Sequence, residues 1–338
     1  QLDMPGRFAN EPDAAVHGAL AWIADAWGLR TAGVVSTQGT PRAPATGTRP
    51  VRWCDPRGQE YTLFPTGSVT LGATDPVSVL EGPGRRDVRI GRPFALATTC
   101  VTHAAYHRYL QSVQGEDGAW ARTSRYPRGL DWIDAVRYVN WLSDQDGLER
   151  CYDFTDQGQV VIPVDSLDRD GYRLPTSAEW ECAARAGTGT DWIHGSTPKR
   201  LEEFAWYAGN RGEASSRPVG GKLPNPAGLF DMQGNEQEWL HDHPSSAPTA
   251  GETVSPASLR GIRSALLTAH WTDSLVHRVL EGPAGAPHVC VRVARTLRPG
   301  DGPDVRERAT AAGEGSVTRV GSPALRRGSA APLPPRDP

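Results

Sequence analysis

The run Leu174-Pro175-Thr176-Ser177-Ala178-Glu179-Trp180 fixes the start of a helix. Thr176 and Glu179 have capping-box spacing. The hydroxyl accepts from the Glu179 amide, and the Glu179 carboxylate reaches back to the Thr176 amide. Pro175 stands just before the cap and an apolar run comes after it. The spacing predicts a helix from Ser177 to about Arg185, stopped at Gly187. A capping box alone says nothing about function.

The rest of the chain reads as short elements joined by irregular backbone. Gly (37) and Pro (29) interrupt periodicity throughout the 338 residues. Helical spacing recurs over about His103 to Gln111 and over Trp132 to Asp144. Glu60 to Pro65 and Gly67 to Gly72 suggest a hairpin, as do Asp87 to Ile90 with Phe94 to Thr99, and a closing strand spans Val289 to Thr296. Periodicity alone therefore gives α+β, loop-rich. The 11 tryptophans are core candidates.

Residues 1–28 read as an N-terminal helical lead and residues 29–50 as a Thr, Gly, Pro and Ala linker. The folded domain is expected over 51–298. The Pro, Gly, Ala, Ser and Arg tail at 299–338 is expected to be disordered. The chain starts at Gln1, which fits a fragment or a processed product. A net charge of -3 supplies no basic footprint for nucleic acid or an anionic membrane. No apolar stretch is long enough to span a bilayer as a helix. The five cysteines are scattered without a C-x-x-C pair, which suggests free thiols and a cytoplasmic setting.

The wording Gly171-Tyr172-Arg173-Leu174-Pro175-Thr176-Ser177-Ala178-Glu179-Trp180-Glu181-Cys182-Ala183-Ala184-Arg185-Ala186-Gly187 resembles a signature of the formylglycine-generating-enzyme (sulfatase-modifying factor) family. Other runs match in order. Leu130-Asp131-Trp132-Ile133-Asp134-Ala135 with Asn140-Trp141-Leu142-Ser143 lies upstream of it. Pro224-Asn225-Pro226-Ala227-Gly228-Leu229-Phe230-Asp231-Met232-Gln233-Gly234-Asn235-Glu236-Gln237-Glu238-Trp239 lies downstream, and then Val291-Arg292-Val293-Ala294-Arg295-Thr296-Leu297. The resemblance implies a C-type-lectin-like α+β fold with two main helices and a twisted antiparallel sheet. It also fits a domain joined to an upstream module, as in some bacterial multidomain proteins.

The resemblance further implies an oxidase that binds Cu(I) through two cysteines near an Arg-Gly-Gly-Ser-Trp motif and converts the cysteine of a C-x-P-x-R substrate to formylglycine. Two thiolates are apt soft donors for Cu(I). Here the matching run is Leu259-Arg260-Gly261-Ile262-Arg263, and no cysteine stands between Cys182 and Cys290. Cys290 occupies the family's glycine position before Arg292. Cys100 replaces a glutamate in the run Thr98-Thr99-Cys100-Val101-Thr102. Copper is therefore not expected. The expected function is a divergent, non-oxidising module that binds a protein or peptide. Its ligand surface would include Arg260, Arg263, His270, Trp271 and His277. The alternative is an active oxidase using Cys290.

Asp231, with the carbonyls of Met232, Gly234 and Glu236, resembles a calcium loop of the family. Hard oxygen donors from one tight loop suit Ca²⁺. The plainer alternative is that Asp231 and Asn235 only cap a turn. His103 and His107, one helical turn apart, read as a solvated face. His241-Asp242-His243 reads as a polar surface turn.

Overall fold

A computed structural model describes residues 51–72, 85–115, 121–195, 197–213, 216–242, 252–254, 259–263, 280–284 and 289–298. The expected lead at 1–28, the linker up to residue 50 and the tail at 299–338 lie outside the described residues.

The chain opens with β1 (Val51–Cys54), β2 (Glu60–Phe64), β3 (Gly67–Leu71), β4 (Arg86–Ile90) and β5 (Phe94–Ala97), followed by α1 (His103–Gln114). Next come β6 (Gly129–Leu130), α2 (Trp132–Gln145), β7 (Asp153–Phe154), β8 (Val160–Ile162), β9 (Tyr172–Arg173), α3 (Ser177–Arg185) and the short α4 (Leu201–Phe204). The last strands are β10 (Glu238–Trp239), β11 (Glu252–Val254), β12 (Leu259–Arg263), β13 (Leu280–Pro283), β14 (Val289–Cys290) and β15 (Ala294–Thr296).

The helices start where their caps dictate. Thr176 and Glu179 form the full capping box, and Glu179 also takes a bidentate contact from the buried Arg173 at 2.7 Å on each oxygen. Asp131 caps α2 by accepting from the Asp134 amide. Helix α3 ends at Ala186 in the left-handed region (φ 47), one residue before Gly187.

The two hairpins expected from the sequence pair differently. β2 lies between β1 and β5, and β3 pairs with β4 instead. The hydrophobic pattern located the strands but not their partners, because all five residues of β2 are buried and give no face to read. The expected final strand is split into β14 and β15.

Two five-stranded sheets organise the domain, in the orders β1-β2-β5-β15-β9 and β13-β12-β10-β14-β6. The chain leaves one sheet and enters the other between Cys290 and Ala294. That crossover is stitched to the strand end after β5, where Ala97 donates to the Val293 carbonyl and Val101 to the Val291 carbonyl, both at 2.8 Å. One core holds Trp53, Tyr61, Trp132, Val136, Val139 and Trp239, and a second holds Phe94, Trp180, Leu229 and Met232. The fully buried indoles of Trp132, Trp180 and Trp239 each donate: Trp132 to the Leu240 carbonyl, Trp239 to the Leu130 carbonyl and Trp180 to Glu238. Pairing each N–H removes the desolvation cost that would otherwise cut into the burial of a large side chain.

Candidate functional site

The crossover between the sheets carries the densest buried chemistry. Glu238 on β10 receives Arg292 through both carboxylate oxygens, at 2.7 and 2.8 Å, and the Trp180 indole at 2.6 Å. Arg292 also donates to the carbonyls of Ala97 and Phe230. Burial opposes the arginine's charge, but Glu238 more than offsets it and raises the guanidinium pKa. A buried pair with this many partners satisfies the condition under which buried charge is tolerated.

Cys100 donates its thiol to Glu238 at 3.2 Å and shares a buried cluster with Cys290. The two thiols and Val219 form a small buried cluster. The Cys290 contact and burial push the Cys100 thiol well up, and burial raises Cys290. Nothing in the spacing of these cysteines along the chain pairs them. Their contact nevertheless places Cys290 beside another thiol.

The Asp231 loop is tightly built. Asp231 is buried with φ 58, and its Oδ2 accepts from the Gly220 amide at 2.8 Å. Its Oδ1 is buried without a hydrogen-bond partner. Burial lifts this carboxyl to about 6. Met232 is packed in the second core, and the Gly234 carbonyl accepts from the Glu236 amide at 3.0 Å. A Cβ on Gly234 would collide with the Trp206 carbonyl, so the loop backbone needs glycine there. Glu236 is half-buried and its carboxyl is lifted to about 7 by burial. Asn235 (φ 70) exchanges two hydrogen bonds with the Arg217 backbone. Among the described residues, no three or more His, Cys, Asp or Glu side chains gather as a metal site. A cation here would rest on Asp231 Oδ1 and main-chain carbonyls. The orphaned Asp231 Oδ1 is a hard oxygen of the kind Ca²⁺ takes.

The expected ligand-surface arginines both lie inside the fold. Arg260 is 1% exposed and its guanidinium sits 5.1 Å from the Trp132 ring centre. Arg263 donates to Glu181 at 2.9 Å and to the Ser177 hydroxyl at 2.8 Å. Burial lowers its pKa, opposed by Glu181. His270, Trp271 and His277 lie outside the described residues.

Two polar readings need correction. His107 is buried rather than solvated. His241 is fully buried rather than part of a surface turn, because Tyr152 and the core around it enclose the ring. Tyr152 accepts from the Leu174 amide, and its hydroxyl shares a hydrogen bond with His241 Nδ1 at 2.8 Å. The other ring nitrogen, Nε2, is buried without a partner. Burial drives the His241 pKa down to about 3. The neighbouring Asp242 accepts from the Ser177 amide at the start of α3, and burial lifts its carboxyl to about 6. A histidine followed by an acidic residue carries no burial signal in sequence.

Fold and seam together define a loop-rich α+β scaffold domain of the kind on which sulfatase-modifying factors are built. The chain belongs to the family of the sulfatase-modifying factor enzyme 1-like domain, whose model matches residues 49–308. It is 31% identical over 149 residues to the chaperone protein LppX of Paenibacillus barcinonensis, covering 35% of this chain and 52% of that one. It is 31% identical over 190 residues to the formylglycine-generating enzyme of Mycobacterium tuberculosis, covering 49% and 60%. Among solved structures it resembles Treponema denticola variable protein 1, with a TM-score of 0.56 and 26% identity over 70% of this chain and 96% of that one. The chain spans 52% and 60% of the lengths of those two curated relatives.

Proposed function

We propose that this domain is a non-oxidising binding or accessory module with a protein or peptide partner. The observation that carries the reading is the lack of a cysteine pair at and beyond β12. The resemblance puts such a pair after this strand, but no cysteine stands between Cys182 and Cys290. Arg260 and Arg263 on the strand are committed to Trp132 and Glu181. The scaffold is therefore kept while the oxidising groups are not. The likeness to a protein named as a chaperone supports a binding role over part of the chain.

The ligand surface would be formed by the loops between Arg260 and His288, with His270, Trp271 and His277 as the contact residues. Asp231 Oδ1 and the carbonyls of Met232, Gly234 and Glu236 would hold Ca²⁺, which would supply charge balance for the orphaned oxygen and rigidity for the loop.

A second reading rests on the Cys100–Cys290 contact: an oxygen-dependent oxidase with a relocated thiol pair. Its weakness is burial, since both thiols are enclosed beside Glu238 and Arg292.

Affinity capture with the full chain, beside a double variant carrying Trp271→Ala and His277→Ala, tests the binding reading. The expected outcome is a captured protein or peptide that the variant loses while its melting temperature matches the parent's. Equal capture by both chains would remove these loops as the ligand surface.

A further inference from the structure

The Cys100–Cys290 cluster lies where the two sheets meet, beside the Glu238–Arg292 pair. Cys100 follows β5 in one sheet, and Cys290 ends β14 in the other. Their side chains lie in one buried cluster whose third member is Val219, Cys100 donates to Glu238, and Cys290 is the β-ladder partner of Glu238. Both depart from the family wording, since one stands for a glutamate and the other for a glycine. Each change alone would look like decay, yet the two side chains meet.

We propose that Cys100 and Cys290 are an oxidisable dithiol pair that closes to a disulfide and locks the two sheets together. The oxidant must be small, because both thiols are buried. A hydroperoxide fits that limit. With hydrogen peroxide, one thiol loses its proton and attacks a peroxide oxygen, and the O–O bond breaks to give a sulfenic acid and water. The second thiol then displaces that hydroxyl as water, and the S–S bond forms. Two S–H bonds are consumed, two electrons pass to one peroxide and two waters leave. The bond brings the sulfurs to about 2.0 Å, between two small side chains that share one buried cluster. Arg292, 3.8 Å from Cys100 Sγ, is the cation available to a transient thiolate. Glu238, which accepts from Cys100, opposes it, so the reaction is slow rather than sensor-fast.

Oxidation would have two effects. It would close a covalent loop between positions 100 and 290, restricting the unfolded chain and raising the melting temperature. It would also take from Glu238 one of its donors, leaving Arg292 and Trp180 in place.

The test uses the full reduced chain, freed of reductant and treated with hydrogen peroxide. The protein is then quenched in acid, alkylated and mapped by mass spectrometry without reduction. The expected result is a cross-linked peptide pair carrying Cys100 and Cys290. Two of the five thiols should be lost, the melting temperature should rise, and dithiothreitol should reverse all three. Cys290→Ser should leave Cys100 unlinked. The map of the parent chain decides the matter even if that variant folds poorly. Methionine sulfoxide in the same digest shows that peroxide acted. Five alkylated thiols beside that sulfoxide, or a bridge between any other cysteines, would overturn the proposal.

Discussion

Glu238 and Arg292 meet as a bidentate pair with both side chains at 0% exposure, at the point where the chain crosses from one sheet to the other. The pair holds strand β10 against the segment between β14 and β15, and through Arg292 it also holds the carbonyls of Ala97 and Phe230. It connects the strand end after β5, the Asp231 loop and the C-terminal strands in one network.

Removing one partner of that network should be severe. Glu238→Gln keeps the shape but leaves Arg292 as an unneutralised buried charge, an effect of about 3–5 kcal/mol. Chemical denaturation of parent and variant measures it. A loss below about 1 kcal/mol would mean that water reaches the pair.

The capping box predicts a smaller effect at the start of α3. Thr176→Ala removes the acceptor for the Glu179 amide, at a cost of about 1 kcal/mol. Thr176→Ser should recover most of it. Equal loss in both variants would place the effect in the lost methyl group rather than in the cap.

His241 predicts a pH dependence with a definite sign. Its folded pKa is about 3 against an unfolded 6.5, so the unfolded chain binds the extra proton. The stability this neutral ring carries is present above pH 6.5 and is lost as pH falls toward 3. Replacing it by Gln removes the titration. The destabilisation caused by His241→Gln should therefore shrink by about 2 kcal/mol between about pH 7 and about pH 5. Unfolding titrations of both chains at the two pH values check this. A penalty independent of pH would mean the ring is solvated and keeps its ordinary pKa in the folded state. Asp231 and Asp242 shift the opposite way, with folded values of about 6, but they are common to both chains and cancel in the difference.

Calcium should act through Asp231. Adding Ca²⁺ to chelator-treated protein is expected to raise the melting temperature, and Asp231→Ala should abolish most of the rise. Magnesium, which demands a tighter octahedral shell, should do less. Identical melting with Ca²⁺ and with chelator would remove the Asp231 loop as a calcium site.

Much of the scaffold was legible in the sequence, for physical reasons. Thr176 and Glu179 act within one turn, so their spacing carried the helix start without any tertiary knowledge. The burial of Trp132, Trp180 and Trp239 follows from size and apolarity. Pairing was not legible, because β2 is buried on both faces and offers no alternation to choose a neighbour. The site was less legible still. Cys100 and Cys290 are brought together only by the crossover between sheets, and their spacing along the chain says nothing of it. Arg260 and Arg263 looked like a ligand surface because exposed arginine is the ordinary case; Trp132 and Glu181, distant in sequence, pack against them inside the fold. His241 was misread for the same reason, since its enclosing partner Tyr152 is remote.

Peptide chemistry separates a binding module from an oxidase in one measurement. Purified full chain is incubated with Cu(I), oxygen and a peptide carrying C-x-P-x-R, beside a converting enzyme as control, and the peptide is weighed by mass spectrometry. A non-oxidising module predicts an unchanged peptide while the control converts. A mass loss matching cysteine-to-formylglycine conversion, abolished by Cys290→Ser, would contradict it and make the Cys100–Cys290 pair the catalytic centre.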